Sequence, residues 1–294
     1  MLSCYTGALA RYCAAEFPDT TAWLAESVRL AVRTDMPDGR LAFSHHRYPL
    51  DRLPDGSGLW YAAGDPADAV AALRAELGRV GRALVVADNA RLPWSPSYTS
   101  TAAAPHWLLL DARSGDRWHV VDTFRGLLAC GEQEPYDGWL GTGELLDVMT
   151  LPQRWTVEQG DRNALAFGFP VAVPRGFRRQ WLRRDIRSAA PAELPGEWLL
   201  EDATVLPFLA EHVAAHGSAA ERHLDDLWAA ARHRAFRHRW HGNPAAAAAW
   251  ETLPAALRFA VDSARRGKPR TSLVHTTFDR LLQVETVQTK DASP

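Results

Sequence analysis

The segment Pro105-His-Trp-Leu-Leu-Leu-Asp-Ala-Arg-Ser-Gly-Asp-Arg-Trp-His-Val-Val-Asp122 contains two apolar runs separated by a turn sequence. The runs 107–110 and 118–121 have the length and residue types of buried strands, and residues 111–116 supply the Gly and Asp of a hairpin turn. A third apolar run covers residues 83–87. Together these runs predict a small antiparallel sheet in this part of the chain.

The sequence around this sheet carries helical patterns. Residues 3–17 predict a short helix that Ser3 could cap, because apolar residues recur there at helical spacing. Residues 20–32 predict a second amphipathic helix, and residues 66–78 predict a third. Residues 164–173 form one further apolar segment, which predicts another strand.

The chain changes character in its C-terminal third, where helical patterns follow one another from about residue 197. We therefore predict an α+β domain over residues 1–185 and a mainly helical accessory domain over residues 186–284. Residues 285–294 are expected to be a disordered tail, because chain termini without apolar anchors are poorly ordered.

Composition excludes several classes of partner. The formal net charge of the 294 residues is -2, so no overall field attracts nucleic acid or an anionic membrane. No run of about 18 apolar residues exists, which argues against a membrane span. The odd count of 3 cysteines argues against a disulfide framework and indicates a reducing cytoplasm.

Cys4 stands where the first helical turn should begin. A helix N-terminus favours the thiolate, because its unpaired amides and dipole attract negative charge. Gly7 follows and leaves room for an acyl group to approach. Cys4 is therefore the candidate nucleophile, with a small buried cysteine near a terminus as the alternative.

His106 and Asp122 are the candidate base and its orienting carboxylate. A hairpin loop of three residues, Arg113 to Gly115, would place Asp122 directly opposite His106. A loop of two residues, Ser114 and Gly115, would place Asp122 opposite Trp107, on the other face. The first register gives a carboxylate that fixes the tautomer of the imidazole. A structural histidine and a plain turn aspartate are the alternatives.

Acyl transfer also needs hydrogen-bond donors for the developing oxyanion. The backbone amides of Cys4 and Tyr5 are candidates, and Asn89 could supply a side-chain donor. Asp88 could instead bond within its own loop. The residues that we assign to substrate binding are Tyr5, Asp88, Asn89, Trp94 and Tyr98.

Two clusters of basic residues suggest weaker hypotheses. His45 and His46 are adjacent, and the histidines after residue 230 lie on an Arg-rich helix without the cysteine and carboxylate partners of a metal site. The adjacent pair is a poor metal site, we interpret His233, His238 and His241 as a solvated face, and we expect no metal. The arginines of the block 175–187 could receive an acidic carrier protein or a phosphate, or form an ordinary surface.

Several motifs resemble the N-terminal domain of the butirosin biosynthesis acyltransferase family. They are the N-terminal cysteine that opens a helix, the loop Leu92-Pro-Trp-Ser-Pro-Ser-Tyr98, the strand start Pro105-His-Trp-Leu-Leu-Leu110 and the strand end Val120-Val-Asp122. The resemblance covers roughly residues 1–125. Ser3 departs from it, since that family often has a histidine directly before the cysteine.

The resemblance implies a papain-like cysteine-enzyme core over residues 1–185 with a Cys4–His106–Asp122 site. It also implies transfer of an acyl group from an acyl or peptidyl carrier protein, where the group rides on a phosphopantetheine arm, to a small-molecule amine, alcohol or water. No resident cofactor is expected. The alternatives are a cysteine peptidase or amidase on the same scaffold, and a non-catalytic binding module with a degenerate papain-like fold.

Overall fold

Helices and antiparallel strands are interspersed along the chain, which confirms the α+β class. The structure is a computed structural model that describes residues 2–101, 103–128, 131–176, 178–186 and 192–291. Its helices are α1 (Cys4–Ala14), α2 (Thr20–Ser27), α3 (Pro66–Val80), α4 (Thr142–Val148), α5 (Val157–Ala164), α6 (Asp202–His216), α7 (Leu224–Trp240), α8 (Pro244–Arg265) and α9 (Thr271–Asp291). Its strands are β1 (Val28–Arg33), β2 (Ala42–His46), β3 (Gly58–Gly64), β4 (Ala83–Asp88), β5 (Pro105–Ser114), β6 (Arg117–Asp122), β7 (Gly126–Leu128), β8 (Gly131–Gln133), β9 (Tyr136–Gly141), β10 (Arg179–Asp185) and β11 (Trp198–Leu199).

The chain forms two compact units, whose boundaries differ from the predicted ones. Residues 1–23 and 49–193 form the first, called here the sheet unit. Residues 24–48 and 194–294 form the second, called here the helical unit. The sequence predicted one boundary near residue 185 and did not predict that segment 24–48 belongs to the helical unit. Strand β1 of this segment pairs with β11, which lies far away in the sequence.

The sheet unit is built on a six-stranded sheet with the order β3-β10-β4-β5-β6-β9, in which every neighbouring pair is antiparallel. The predicted runs 83–87, 107–110 and 118–121 are its central strands, as expected. They pack with α3 and α4 in a core that includes Leu73, Leu108, Trp118 and Leu145. Helix α1 packs across β4, β5 and β6.

The end of α1 is held by buried arginines. Glu16, just after the helix, accepts from Arg82 and, at 2.8 Å, from Arg184. Arg184 is only 7% exposed and also contacts Asp55 at 2.6 Å and Ser57 at 2.8 Å. The sequence suggested that Arg184 could belong to an arginine surface that receives a phosphate. The structure instead buries Arg184, which fixes α1 against the sheet.

The helical unit packs α6, α7, α8 and α9 with a three-stranded sheet of order β11-β1-β2. The prediction of one helix over residues 20–32 is wrong, since α2 ends at Ser27 and the chain continues as β1. The residues Val28-Arg-Leu-Ala-Val-Arg33 pair with β2, which buries the β-branched residues in the core. The strand predicted over residues 164–173 is also absent, because α5 runs to Ala164 and turns follow it.

A buried polar network joins α9 to α7 and α8 in the helical unit. Glu285 of α9 is 7% exposed; its Oε1 accepts from Trp250 Nε1 at 2.7 Å and lies 2.8 Å from His238 Nε2. Its Oε2 accepts from Arg234 at 3.2 Å. Burial alone would raise the pKa of Glu285, but the hydrogen bond from His238 and the charge of Arg234 lower it to about 2.

This network corrects two predictions. Residues 285–291 are the end of α9 rather than a disordered tail, because the Glu285 contacts hold the last turns. His233 and His238 are buried, so their helix does not present them to solvent. Residues 292–294, with Cys130 and Arg187, lie outside the described residues. None of the described helices combines the length and the apolar character that a membrane crossing requires.

We expect Glu285→Ala to destabilise the helical unit by about 1–3 kcal/mol, because it leaves Trp250 Nε1 and His238 Nε2 without their buried partner, while Asp202 still pairs with Arg234. Urea denaturation followed by circular dichroism would measure the loss. Glu251→Ala is the matched control: Glu251 pairs with Arg239 at the surface. Its effect should stay within about 0.5 kcal/mol, and equal effects of the two substitutions would contradict the role of the network.

Candidate active site

Cys4 is the first residue of α1, as the sequence predicted. Ser3 caps the helix, since its Oγ accepts from Thr6 N at 3.3 Å, and Gly7 N donates to Ser3 O at 2.8 Å. The amides of Cys4 and Tyr5 precede these bonds and lie at the positive end of the helix dipole. The residue as a whole is partly exposed. Cys4 thus lies at a helix start and is not enclosed in the core.

His106 lies on β5 between Asp122 and Cys4. Its Nε2 is 3.0 Å from Asp122 Oδ1, and both side chains are almost completely buried. Cys4 lies near enough to His106 for the two side chains to interact electrostatically. The structure therefore brings the three predicted residues together.

The register between β5 and β6 is neither of the two that the sequence suggested. The turn has two residues, Gly115 and Asp116, because Ser114 pairs with Arg117. A bulge at Asp111 then shifts the register, so that Leu109 pairs with Val121. Carried one residue further, this pairing sets Asp122 opposite Leu108.

The bulge determines which face Asp122 occupies. Without the extra residue, the same turn would place Asp122 opposite Leu109, on the face away from His106. With it, Asp122 lies opposite Leu108 and shares the His106 face, since alternate residues of a strand point to the same side. Asp111 Oδ1 lies 2.6 Å from His119 Nδ1, a contact that spans the bulge.

The Asp122 carboxylate accepts three hydrogen bonds and lies beside the His106 ring. Oδ1 accepts from Phe124 N at 2.9 Å and faces His106. Oδ2 accepts from Trp94 Nε1 and from Gln133 Nε2, both at 2.9 Å. The bond to Phe124 is the turn contact that a plain aspartate would make. Asp122 is therefore at once a turn residue and the partner of His106.

Electrostatics favour a charged pair. Burial opposes ionisation of Asp122. The charge of His106 and the hydrogen bonds from Trp94 and from the Phe124 backbone nevertheless keep the pKa of the carboxyl below its usual value. Burial also opposes the imidazolium, yet the charges of Asp122 and Cys4 raise the pKa of His106 well above its usual value. His106 thus favours its charged form beside the Asp122 carboxylate.

A close approach holds α1 against the end of β6. A Cβ added at Gly7 would lie 2.8 Å from Thr123 Oγ1, which is too near for a side chain. The sequence suggested that Gly7 leaves room for an acyl group, but Thr123 fills the space beside it. This contact lets the helix that carries Cys4 lie beside the residue that follows Asp122.

The structure gives most of the residues predicted to bind substrate other tasks. Tyr5 is buried with its ring edge-on to Trp107, at 5.0 Å between centroids. Asp88 Oδ1 accepts from Ala90 N at 3.0 Å, and Asn89 Oδ1 accepts from Ala104 N at 3.1 Å, so both shape their loop.

The two aromatic residues of the loop differ from each other. The Trp94 ring stacks on the ring of Tyr136, at 3.9 Å between centroids, and its indole N–H serves Asp122. Tyr98 is 49% exposed and remains the candidate for contact with substrate.

Sequence reasoning missed Gln133, Thr123 and Tyr136. Gln133 lies in the three-residue strand β8, which has no periodic pattern. The available signal was the turn after Asp122, where Thr123 and Phe124 continue the chain beside the carboxylate. Among the described residues, no group of three or more His, Cys, Asp or Glu side chains is arranged to hold a metal ion.

Comparison of the sequence with protein-family models and with curated protein sequences gives no match. The structure itself supplies the features of the candidate site: a partly exposed cysteine at a helix start, a buried histidine and a buried, hydrogen-bonded aspartate.

We expect Gly7→Ala to destabilise the sheet unit by about 1–3 kcal/mol, because the added methyl forces α1 away from Thr123. It should also slow alkylation of Cys4 by iodoacetamide. Thr123→Ala in the same chain should restore both. Gly78→Ala is the control, since a Cβ there meets open space in α3; it should stabilise by about 0.5–1 kcal/mol. A Gly7→Ala protein as stable and reactive as the wild type would contradict the close contact.

We expect Asp122→Asn to lower the pKa of His106, because the amide removes the negative charge that outweighs burial. An NMR titration of the ring carbons would follow protonation directly. In the wild type the ring should stay charged above about pH 6.5, and in the variant it should lose its proton below that value. An unchanged midpoint would show that Asp122 does not hold the charge.

Proposed function

We propose that this protein is a cysteine-dependent acyltransferase or thioesterase that takes an acyl group from a carrier-protein thioester. The observation that carries this proposal is the position of His106 between Cys4 and Asp122. A nucleophile, a base and an orienting group in contact are the parts that covalent acyl transfer requires.

In the first step, the Cys4 sulfur attacks the thioester carbonyl, and the oxygen takes the negative charge. The amides of Cys4 and Tyr5 at the start of α1 are suited to receive that charge. The bond between the carbonyl carbon and the phosphopantetheine sulfur then breaks. His106 gives its proton to the departing thiolate, which leaves as a thiol, and the acyl group stays on Cys4.

In the second step, an amine, an alcohol or water attacks the acyl carbon. His106, now neutral, takes the proton of the acceptor, and the bond to the Cys4 sulfur breaks. Cys4 leaves as a thiolate beside the renewed imidazolium. Asp122 keeps the ring oriented in both steps, since its carboxylate faces Nε2 throughout.

The arrangement supports a papain-like core within the sheet unit, with α1 as the helix that bears the nucleophile and β5 and β6 as the strands that bear its partners. Such a core is also what the resemblance to the butirosin biosynthesis acyltransferase family implies. No metal or other resident cofactor has a part in this chemistry, which proceeds on side chains alone.

We infer an acyl or peptidyl carrier protein as the donor and a small molecule as the acceptor, in a cytoplasm that keeps thiols reduced. Arg175, Arg178 and Arg183 remain exposed on the sheet unit and suit the acidic surface of a carrier. Tyr98, also exposed, suits contact with the acyl group or its arm.

We expect intact-protein mass spectrometry to show one acyl adduct after incubation with an acyl-carrier thioester, and peptide mapping to place it on Cys4. Cys4→Ala should abolish the adduct. Cys13→Ala is the matched control on the same helix and should keep it, because burial raises the pKa of the Cys13 thiol to about 12.

Three results would count against the proposal. An adduct that forms equally in Cys4→Ala would remove the nucleophile from the mechanism. Turnover of peptide amides without acylation by thioesters would indicate a peptidase or amidase on the same site. Failure of every thioester and amide to acylate Cys4 would favour a non-catalytic binding module.

A further inference from the structure

The two donors on Asp122 Oδ2 come from outside the hairpin that carries the site. Trp94 belongs to the loop after β4, and Gln133 is the last residue of β8. Both lie 2.9 Å from the same oxygen. Because Oδ1 is the oxygen that faces His106, contacts at Oδ2 determine how far the carboxylate can rotate about its own axis.

The contact between Gln133 and Asp122 leaves the side-chain oxygen of Gln133 buried without a donor in the described part of the chain. The side chain is 0% exposed, its Nε2 donates to Asp122, and its Oε1 has no hydrogen-bond donor among the described residues. A buried acceptor without a donor costs free energy, so an apolar side chain of the same shape would suit the interior better. The contact with Asp122 is what distinguishes glutamine at this position.

Trp94 is held in the plane that this contact needs. Its ring is nearly parallel to the ring of Tyr136, with an angle of 5° between them. Tyr136 of β9 pairs with Asp122 of β6 in the sheet register. The stack therefore rests on the strand beside Asp122, and the indole N–H points at the carboxylate.

We propose that Gln133 and Trp94 are positioning residues, whose N–H groups hold Asp122 as an anion in the orientation that faces His106. This inference rests on the proposed function, in that Cys4, His106 and Asp122 are taken as the reacting and orienting groups. It adds that the orienting group is itself kept in place by two side chains that touch neither the sulfur nor the imidazole in any contact described above.

The titratable groups around Asp122 make the effect depend on pH. His106 faces it from β5, Cys4 lies beyond His106 on α1, and Tyr136 lies across the strand pair on β9. His106 favours the carboxylate, whereas burial opposes it. Loss of the two neutral donors therefore shifts the balance towards a protonated Asp122, and the consequence appears at acidic pH.

The test uses Gln133→Met and Trp94→Phe in the full chain. The first removes one donor at nearly constant shape, and the second removes the other donor and keeps an aromatic ring. We expect each to raise the protonation midpoint of the Asp122 carboxyl in a carbon NMR titration. We also expect kcat/KM with the acyl-carrier thioester to fall about ten- to hundredfold near the acid limb, since a hydrogen bond to a charged group is worth that factor. At neutral pH the loss should be smaller.

Two matched controls separate this role from general damage to the core. Gln180 is buried, and its Nε2 donates to Pro174 O at 2.9 Å, so Gln180→Met removes the same kind of bond elsewhere in the sheet unit. Trp118 Nε1 donates to Thr142 Oγ1 at 2.9 Å, so Trp118→Phe does the same for an indole. Both controls should keep the wild-type shape of the pH profile.

Gln133→Glu supplies a stronger variant of the same sense at nearly constant shape. It sets a second carboxyl beside Asp122, and the two should share one proton because like charges at this distance do not both ionise freely. We expect its loss of activity to extend to higher pH than that of Gln133→Met. A Gln133→Glu protein with the wild-type profile would overturn the proposal.

The remaining outcomes distinguish the positioning role of Gln133 and Trp94 from the proposed function. An unchanged Asp122 midpoint in folded Gln133→Met and Trp94→Phe overturns the positioning role, even if acyl-Cys4 forms normally. Equal shifts in the Gln180→Met and Trp118→Phe controls overturn it as well. A raised midpoint in the two variants, in a protein that no thioester acylates, supports the positioning role and rejects the proposed function instead.

Discussion

The register of one hairpin governs the candidate site. β5 and β6 are joined by a tight turn, and the extra residue Asp111 changes the parity of the pairing between that turn and the sheet centre. Every side chain beyond the bulge therefore points to the face opposite the one a regular ladder would give it. Asp122 reaches His106 for this reason, and the contacts that later surround the carboxylate depend on it.

Buried carboxylates in the two units share a pattern and differ in one partner. Asp122 and Glu285 each accept an indole N–H and each lie within 3.0 Å of a histidine nitrogen. Glu285 also contacts Arg234, whose permanent charge neutralises it. In the described contacts of Asp122, the cation is His106. An imidazolium can release its proton and a guanidinium cannot, so the charge beside Asp122 can change with pH, whereas the charge beside Glu285 is permanent.

The sequence predicted the elements of the site better than their connection. The apolar runs and the Ser3 cap indicated α1 and the central strands, because these signals are local. The bulge was not predictable, since nothing in residues 111–116 distinguishes an extra residue from a longer turn. Gln133 and segment 24–48 were missed because their partners lie far away in the sequence. The predicted substrate contacts of Asp88 and Asn89 gave way to backbone bonds within the loop, which short polar side chains make readily.

The two described cysteines of α1 show how strongly position controls the chemistry of a thiol. Cys13 is 0% exposed on the packed face, where burial opposes its charged form. Cys4, on the first turn of the same helix, meets the helix dipole, solvent and a histidine that is charged because Asp122 is charged. The helix is fixed at Glu16 by two arginines and at Gly7 by Thr123. These two contacts fix the helix that carries Cys4 against the sheet, and in the proposed mechanism that fixed position is what the packing of the sheet unit would contribute.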